Sequence, residues 1–347
     1  MSDDTTVLVD EPDQAEPVRV EVPEGAMAAP DPNDPSVEGG PEVTPPPGWA
    51  DYRATAALMG AFVVTMLLSV LFARPFISAE LQAFEDPEQV GNSIGYFVVL
   101  LAFTALLLWI AKKGKKWMIQ AIILTAVGST VAYVVAPLLL HFGVAGTTAW
   151  GTGIALGAVC VFALYKHPEW YVIDGVGILV AAGAATIFGI SLSIVPVIVL
   201  LAALAVYDAI AVYKTKHMLD LADTVIDLRL PILLVVPKHR GYSFLREAAK
   251  FKEAGPENKE EREAFFLGLG DLVMPSILVV SALVFPPAPD TVLPVLGAAI
   301  GTLVGFAVLM GYVLKGNPQA GLPLLNGGAI VGFLTGLWAA TGSFVFW

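Results

Sequence analysis

Charge is scarce in this chain: Asp, Glu, Lys and Arg make up 14% of its 347 residues, against 56% that are hydrophobic. That scarcity excludes an ordinary soluble domain, in which roughly a quarter of the residues are charged. A single cysteine, Cys160, excludes an intrachain disulfide and leaves the redox compartment undetermined. The four histidines, His141, His167, His217 and His239, fall in different loops or helix ends without metal-ligand spacing. With no H-E-x-x-H pattern, the sequence argues against a zinc protease of the membrane. Ser129, after Gly128, has no intramembrane histidine to activate it as a serine nucleophile. Walker A and Rossmann glycine patterns are missing as well. No metal, cofactor or nucleic-acid partner is therefore expected.

What remains is long apolar sequence behind an acidic leader. Residues 1–50 hold twelve of the 31 acids, one basic residue (Arg19) and many prolines, and are read as a disordered tail. No basic stretch leads directly into an apolar run, so a cleaved signal peptide is not expected. Beyond the tail the charges nearly balance, nineteen acids against eighteen bases, so the net charge of -12 belongs to the tail.

A membrane-spanning helix needs about 20 mostly apolar residues. Nine stretches qualify: 54–73, 93–111, 117–140, 144–165, 170–190, 192–213, 264–285, 291–314 and 320–346. The expected fold is an all-α polytopic membrane protein with spans one to six in 51–213, a long loop in 214–263 and spans seven to nine in 264–347. Only Gly189, Ile190 and Ser191 separate the fifth and sixth spans. The basic residues test the count: with the N-terminus inside, eighteen of the nineteen Lys and Arg fall on the inner side and only Arg74 outside. Such a bias marks the cytoplasmic side. The N-terminus is accordingly placed in the cytoplasm and the C-terminus outside, in the cell membrane. Within the loop, the segment Leu230 to Val236 (Leu-Pro-Ile-Leu-Leu-Val-Val) is too short to span and is predicted to be a strand that pairs with extended substrate.

Three acids fall inside spans: Asp174, Asp208 and Asp271. Acids there cost roughly 2.5 to 3.5 kcal/mol at a helix centre and are functional candidates by default. Asp174 lies just inside span five and is read as a polar residue near a helix end. Asp208 and Asp271 sit at matching depths in two consecutive antiparallel helices, whose packing distance of about 8 to 10 Å two inward-pointing side chains can close. Two such carboxyls cannot both ionise readily, so one holds a proton while the other stays charged. Together they can activate water and polarise a peptide carbonyl. A proton- or cation-coupled transporter is the alternative use of the same acids, but it predicts internal repeats and none is evident.

Tyr207-Asp208 and Gly268-Leu269-Gly270-Asp271 resemble the YD and GxGD motifs of presenilins and signal peptide peptidases, the GxGD intramembrane aspartyl proteases, and most closely their prokaryotic, archaeal-type presenilin homologues. The resemblance covers the whole membrane portion, including the nine spans and the long loop after the sixth. It implies hydrolysis of peptide bonds within transmembrane helices of single-span proteins, with Asp208 and Asp271 catalytic and Tyr207, Gly268, Leu269 and Gly270 supporting. The third motif of that family, PAL, finds its nearest counterpart in Ala320-Gly321-Leu322 before Pro323, and a shifted register at Pro323-Leu324-Leu325 is the alternative. These residues are expected to engage substrate. The loop lies inside, which favours substrates whose N-terminus is outside, and no accessory subunit is demanded by the sequence. Glycines at 297, 301 and 305 and at 328, 332 and 336 are read as close helix contacts.

Overall fold

The computed structural model describes residues 48–113, 116–212, 233–239, 241–244, 263–288, 291–315 and 319–345. The acidic tail up to residue 47 and most of the 214–263 loop lie outside the described residues. Nine helices are present among them: α1 (Trp49–Ser78), α2 (Val90–Lys112), α3 (Lys116–His141), α4 (Gly146–Lys166), α5 (Trp170–Ser191), α6 (Ile194–Ile210), α7 (Leu269–Val284), α8 (Leu293–Val313) and α9 (Gly321–Thr341). Strands β1 (Leu233–Pro237) and β2 (Ala264–Gly268) form an antiparallel pair between α6 and α7.

Seven helices are long and apolar enough to cross a membrane. The two that are not, α6 with 17 residues and α7 with 16, carry the two motif aspartates. At 1.5 Å per residue each reaches only about 25 Å, short of the roughly 30 Å hydrocarbon core. α7 starts at the level of its aspartate, and α6 runs past Asp208 into a π-helical turn at Ala211 and Val212, the last described residues before the loop. The expectation for span seven is corrected here: residues 264–268 are strand, so the helix begins at Leu269 rather than at Ala264.

The break between α5 and α6 is genuine and falls at Leu192 and Ser193, slightly later than expected. A break inside apolar surroundings must satisfy the backbone groups it frees. The Ser281 hydroxyl of α7 donates to the Leu192 carbonyl at 2.8 Å, and the Ser193 N–H donates to the Pro87 carbonyl at 2.9 Å.

The main core runs through α1 and α5 to α9, with Leu58, Phe62, Leu200, Ile277, Phe306 and Phe333 buried in it. Phe62 of α1 and Phe306 of α8 meet with ring centroids 4.9 Å apart. α8 and α9 approach closely through their glycines, since a Cβ at Gly297, Gly301 or Gly305 would strike the backbone of Gly332, Gly328 or Leu324. The four-residue glycine spacing thus leads to backbone contact without a ligand. In the sheet, Leu234, Val236, Phe265 and Leu267 face this core, while Val235, Ala264 and Phe266 face a smaller cluster with Leu164 and Ile173. Both faces are covered, which is why β1 is apolar at successive positions rather than at alternate ones.

Candidate active site

Asp208 is the third residue from the end of α6, and Asp271 the third from the start of α7. The expected common level is therefore present, with Asp208 near the loop side of the described part of α6 and Asp271 in the first turn of α7. Both residues are partly buried, and the two carboxyls lie close enough to repel each other.

Each carboxylate meets backbone amides at a helix start. The Leu322 N–H at the start of α9 donates to Asp208 Oδ2 at 3.1 Å, and the Gly321 amide beside it faces the same carboxylate. Asp271 lies against Gly268, the residue that caps its own helix and whose N–H faces the carboxylate. Helix N-termini carry unpaired amides and partial positive charge, so two of them converge on a site where negative charge must be held. Pro275 lies four residues after Asp271 and has no N–H, so the Asp271 carbonyl lacks the usual helical donor from that position.

Gly321 touches both acids. Its amide faces Asp208, and a Cβ built on it would stand 3.4 Å from Asp271 Oδ1. The structure thus brings Ala320-Gly321-Leu322 to the aspartates. The shifted register does not reach them: Leu325 is buried in the core and the Leu324 carbonyl packs on Gly305. Ala320 is buried at the cap of α9, and Pro323 occupies the third helical position, where a missing N–H costs no intrahelical bond.

The remaining motif residues separate. Leu269 packs on Gly177 of α5, where a Cβ would come within 3.0 Å of its side chain. A Cβ on Gly270 would meet nothing within 4 Å, and one on Gly268 only Asp271 at 3.4 Å, so neither glycine is there to seat another helix. Tyr207 is exposed and meets Phe97 of α2 edge-on at 6.2 Å between ring centroids.

Two residues join the site unexpectedly. Asn326, one turn beyond Leu322, is completely buried and donates from Nδ2 to the Leu201 carbonyl of α6 at 3.0 Å. It makes a second tie between the helices that Asp208 and Leu322 connect. Its sequence signal was a lone amide in an apolar span, which has no period to reveal it. Asp174 is the other: its Oδ1 accepts the Val235 N–H of β1 at 2.8 Å.

That bond corrects the expected use of the first strand. The register pairs Leu234 with Leu267 and Val236 with Phe265, and the Lys238 N–H continues the ladder to the Glu263 carbonyl at 2.9 Å. Even-numbered residues of β1 therefore bond to β2, and odd-numbered ones point away. On the outward edge Val235 is held by Asp174 and Pro237 has no N–H to offer. One edge of β1 is thus occupied by β2, and on the other edge the Val235 donor is taken and Pro237 has none, which leaves β1 poorly suited to an added strand.

An aspartate pair brought together from two neighbouring helices inside a bundle of apolar helices fits the class of intramembrane aspartyl proteases. A family model described as signal-peptide peptidase, presenilin aspartyl protease matches residues 59–342, and the chain belongs to that family. Two solved structures of a presenilin family intramembrane aspartate protease, in C222 and P2 crystals, are each 40% identical to it. They superpose with TM-scores of 0.62 and 0.60, cover 82% of this chain, and are themselves covered over 99% and 97% of their lengths. No curated protein matches. The chain is an integral, multi-pass membrane protein and an aspartic endopeptidase that cleaves within the membrane. Neither finding supports the transporter alternative.

Proposed function

We propose that Asp208 and Asp271 are the catalytic pair and act on one water held between them. One carboxyl carries a proton and polarises the scissile carbonyl, while the other takes a proton from the water, giving a tetrahedral intermediate without a covalent adduct. The two roles belong to the pair, and neither is assigned to one residue. The observation that carries this reading is the convergence at Gly321 and Leu322: one helix start bonds Asp208 while its first residue lies against Asp271.

Substrate must reach this pair unwound, because a helical backbone hides its carbonyls in hydrogen bonds. The outward edge of β2, at Ala264 and Phe266, leads through Gly268 to Asp271 and suits an added strand. Gly268 and Gly270 keep the space beside it clear, and Ala320 to Pro323 border it across the gap. The Lys and Arg distribution supports an N-terminus and long loop in the cytoplasm, a C-terminus outside, and residence in the cell membrane. Single-span substrates with the N-terminus outside then present their chains in register with the site.

The test uses purified protein in bilayers with a transmembrane peptide. Asp208→Asn and Asp271→Asn are each expected to lower cleavage by about a thousandfold or more. Intact proteolysis in either variant would overturn the assignment. A reporter that places the 214–263 loop outside the cell would overturn the orientation alone.

A further inference from the structure

The β1–β2 pair is tied to the bundle on several sides. Beyond the Asp174 bond to Val235, Glu169 at the start of α5 accepts from the Ser243 hydroxyl at 2.8 Å and from the Phe244 N–H at 3.2 Å. Lys238 pairs with Asp51 of α1 at 2.9 Å. Most of these ties lie near the sheet's end or in the turn that follows, where slack is tolerable. Asp174 alone grips the middle of the strand, at the residue paired with Phe266 of β2.

Its position is unusual for a carboxylate, since it is only partly exposed in an apolar helix and bonds a backbone amide rather than a cation. The same helix face carries Gly177, one turn on, which seats Leu269 at the start of α7. One face of α5 therefore holds the strand before the catalytic helix and the first residue of that helix. From this geometry we infer that Asp174 is a positioning residue for substrate: it closes the outward edge of β1 and holds the pair at a fixed height, so that only the β2 edge receives a substrate strand, aligned with the aspartates. The inference rests on the reading that substrate adds to β2.

Asp174→Leu removes the acceptor with little change in size, and Asp174→Asn keeps an acceptor oxygen without the charge. In the full chain, Asp174→Leu is expected to lower kcat/KM for a transmembrane peptide about tenfold or more, chiefly through KM. Asp174→Asn should restore most of it. A short peptidomimetic whose hydroxyl imitates the tetrahedral intermediate should bind Asp174→Leu as it binds the parent, because the pair itself is set by α6, α7 and α9. Loss of that binding would make the role merely structural and overturn the inference. Val235→Pro removes the donor at an outward position, leaves the ladder to β2 intact, and serves if Asp174→Leu fails to fold. Combined with Asp174→Leu it should add nothing to the loss, and multiplied losses would show that Asp174 acts elsewhere. An Asn variant as poor as the Leu variant, or a Leu variant with unchanged KM, would also overturn it. Phe266→Pro separates the two ideas. Normal cleavage by that variant refutes substrate pairing at β2, whereas impaired cleavage alongside an unaffected Asp174→Leu leaves the pairing and removes Asp174 from it.

Discussion

The two halves of the aspartate pair are supported in different ways. Asp271 depends on its neighbours in sequence: Gly268 caps its helix and turns its N–H toward the carboxylate, and Pro275 removes a donor from the turn beneath it. Asp208 lies late in α6, where the amides of its own helix are already bonded to preceding carbonyls. Its support comes from α9, through an amide 114 residues away. A local motif suffices for one acid, while the other depends on where a third helix docks. The recognisable spelling around Asp271 and the unrevealing Tyr-Asp around Asp208 follow from that difference.

Removing each support should separate the two cases. Leu322→Pro deletes the amide that Asp208 accepts, at a helix position that tolerates proline. Cleavage is expected to fall roughly a hundredfold, since small misplacement of a reacting group costs that much, with the melting temperature little changed. A variant that cleaves at the parental rate would show that Gly321 alone holds Asp208. Gly268→Pro deletes the corresponding donor to Asp271, and the φ of -63° at that position already suits proline. Here roughly tenfold loss in kcat is expected, because the start of α7 keeps its partial positive charge beside the carboxylate. A larger loss than for Leu322→Pro would reverse the proposed order of dependence. Least affected should be Lys238→Ala, which breaks the ion pair that ties β1 to α1 on the Asp271 side. Both partners are partly exposed, so thermal unfolding should report a change under about 1 kcal/mol.

Much of the site was legible in the sequence because it is written locally. Gly268, Gly270 and Asp271 lie within four residues, and the charge bias that numbers the spans needs no contacts at all. The strand in Leu230 to Val236 was expected from its β-branched run, and residues 233–237 form it. Ala264 to Gly268 was read as helix because its apolar run is continuous with span seven. Pairing with β1 overrides that reading, and nothing in Ala-Phe-Phe-Leu-Gly distinguishes a buried strand from the start of a buried helix. The register at Ala320 to Leu322 was equally undecidable, since spelling shows no hydrogen bond.

By itself the sequence determined the apolar segments and the two aspartates, because a bilayer selects segments by length and composition one at a time. Tertiary structure decided what surrounds those aspartates. The Leu322 amide on Asp208, the Asn326 tie to α6 and the Asp174 grip on β1 join residues 114, 125 and 61 positions apart. Each is a single directional bond between elements, and it exists only once the packing of those elements has been fixed.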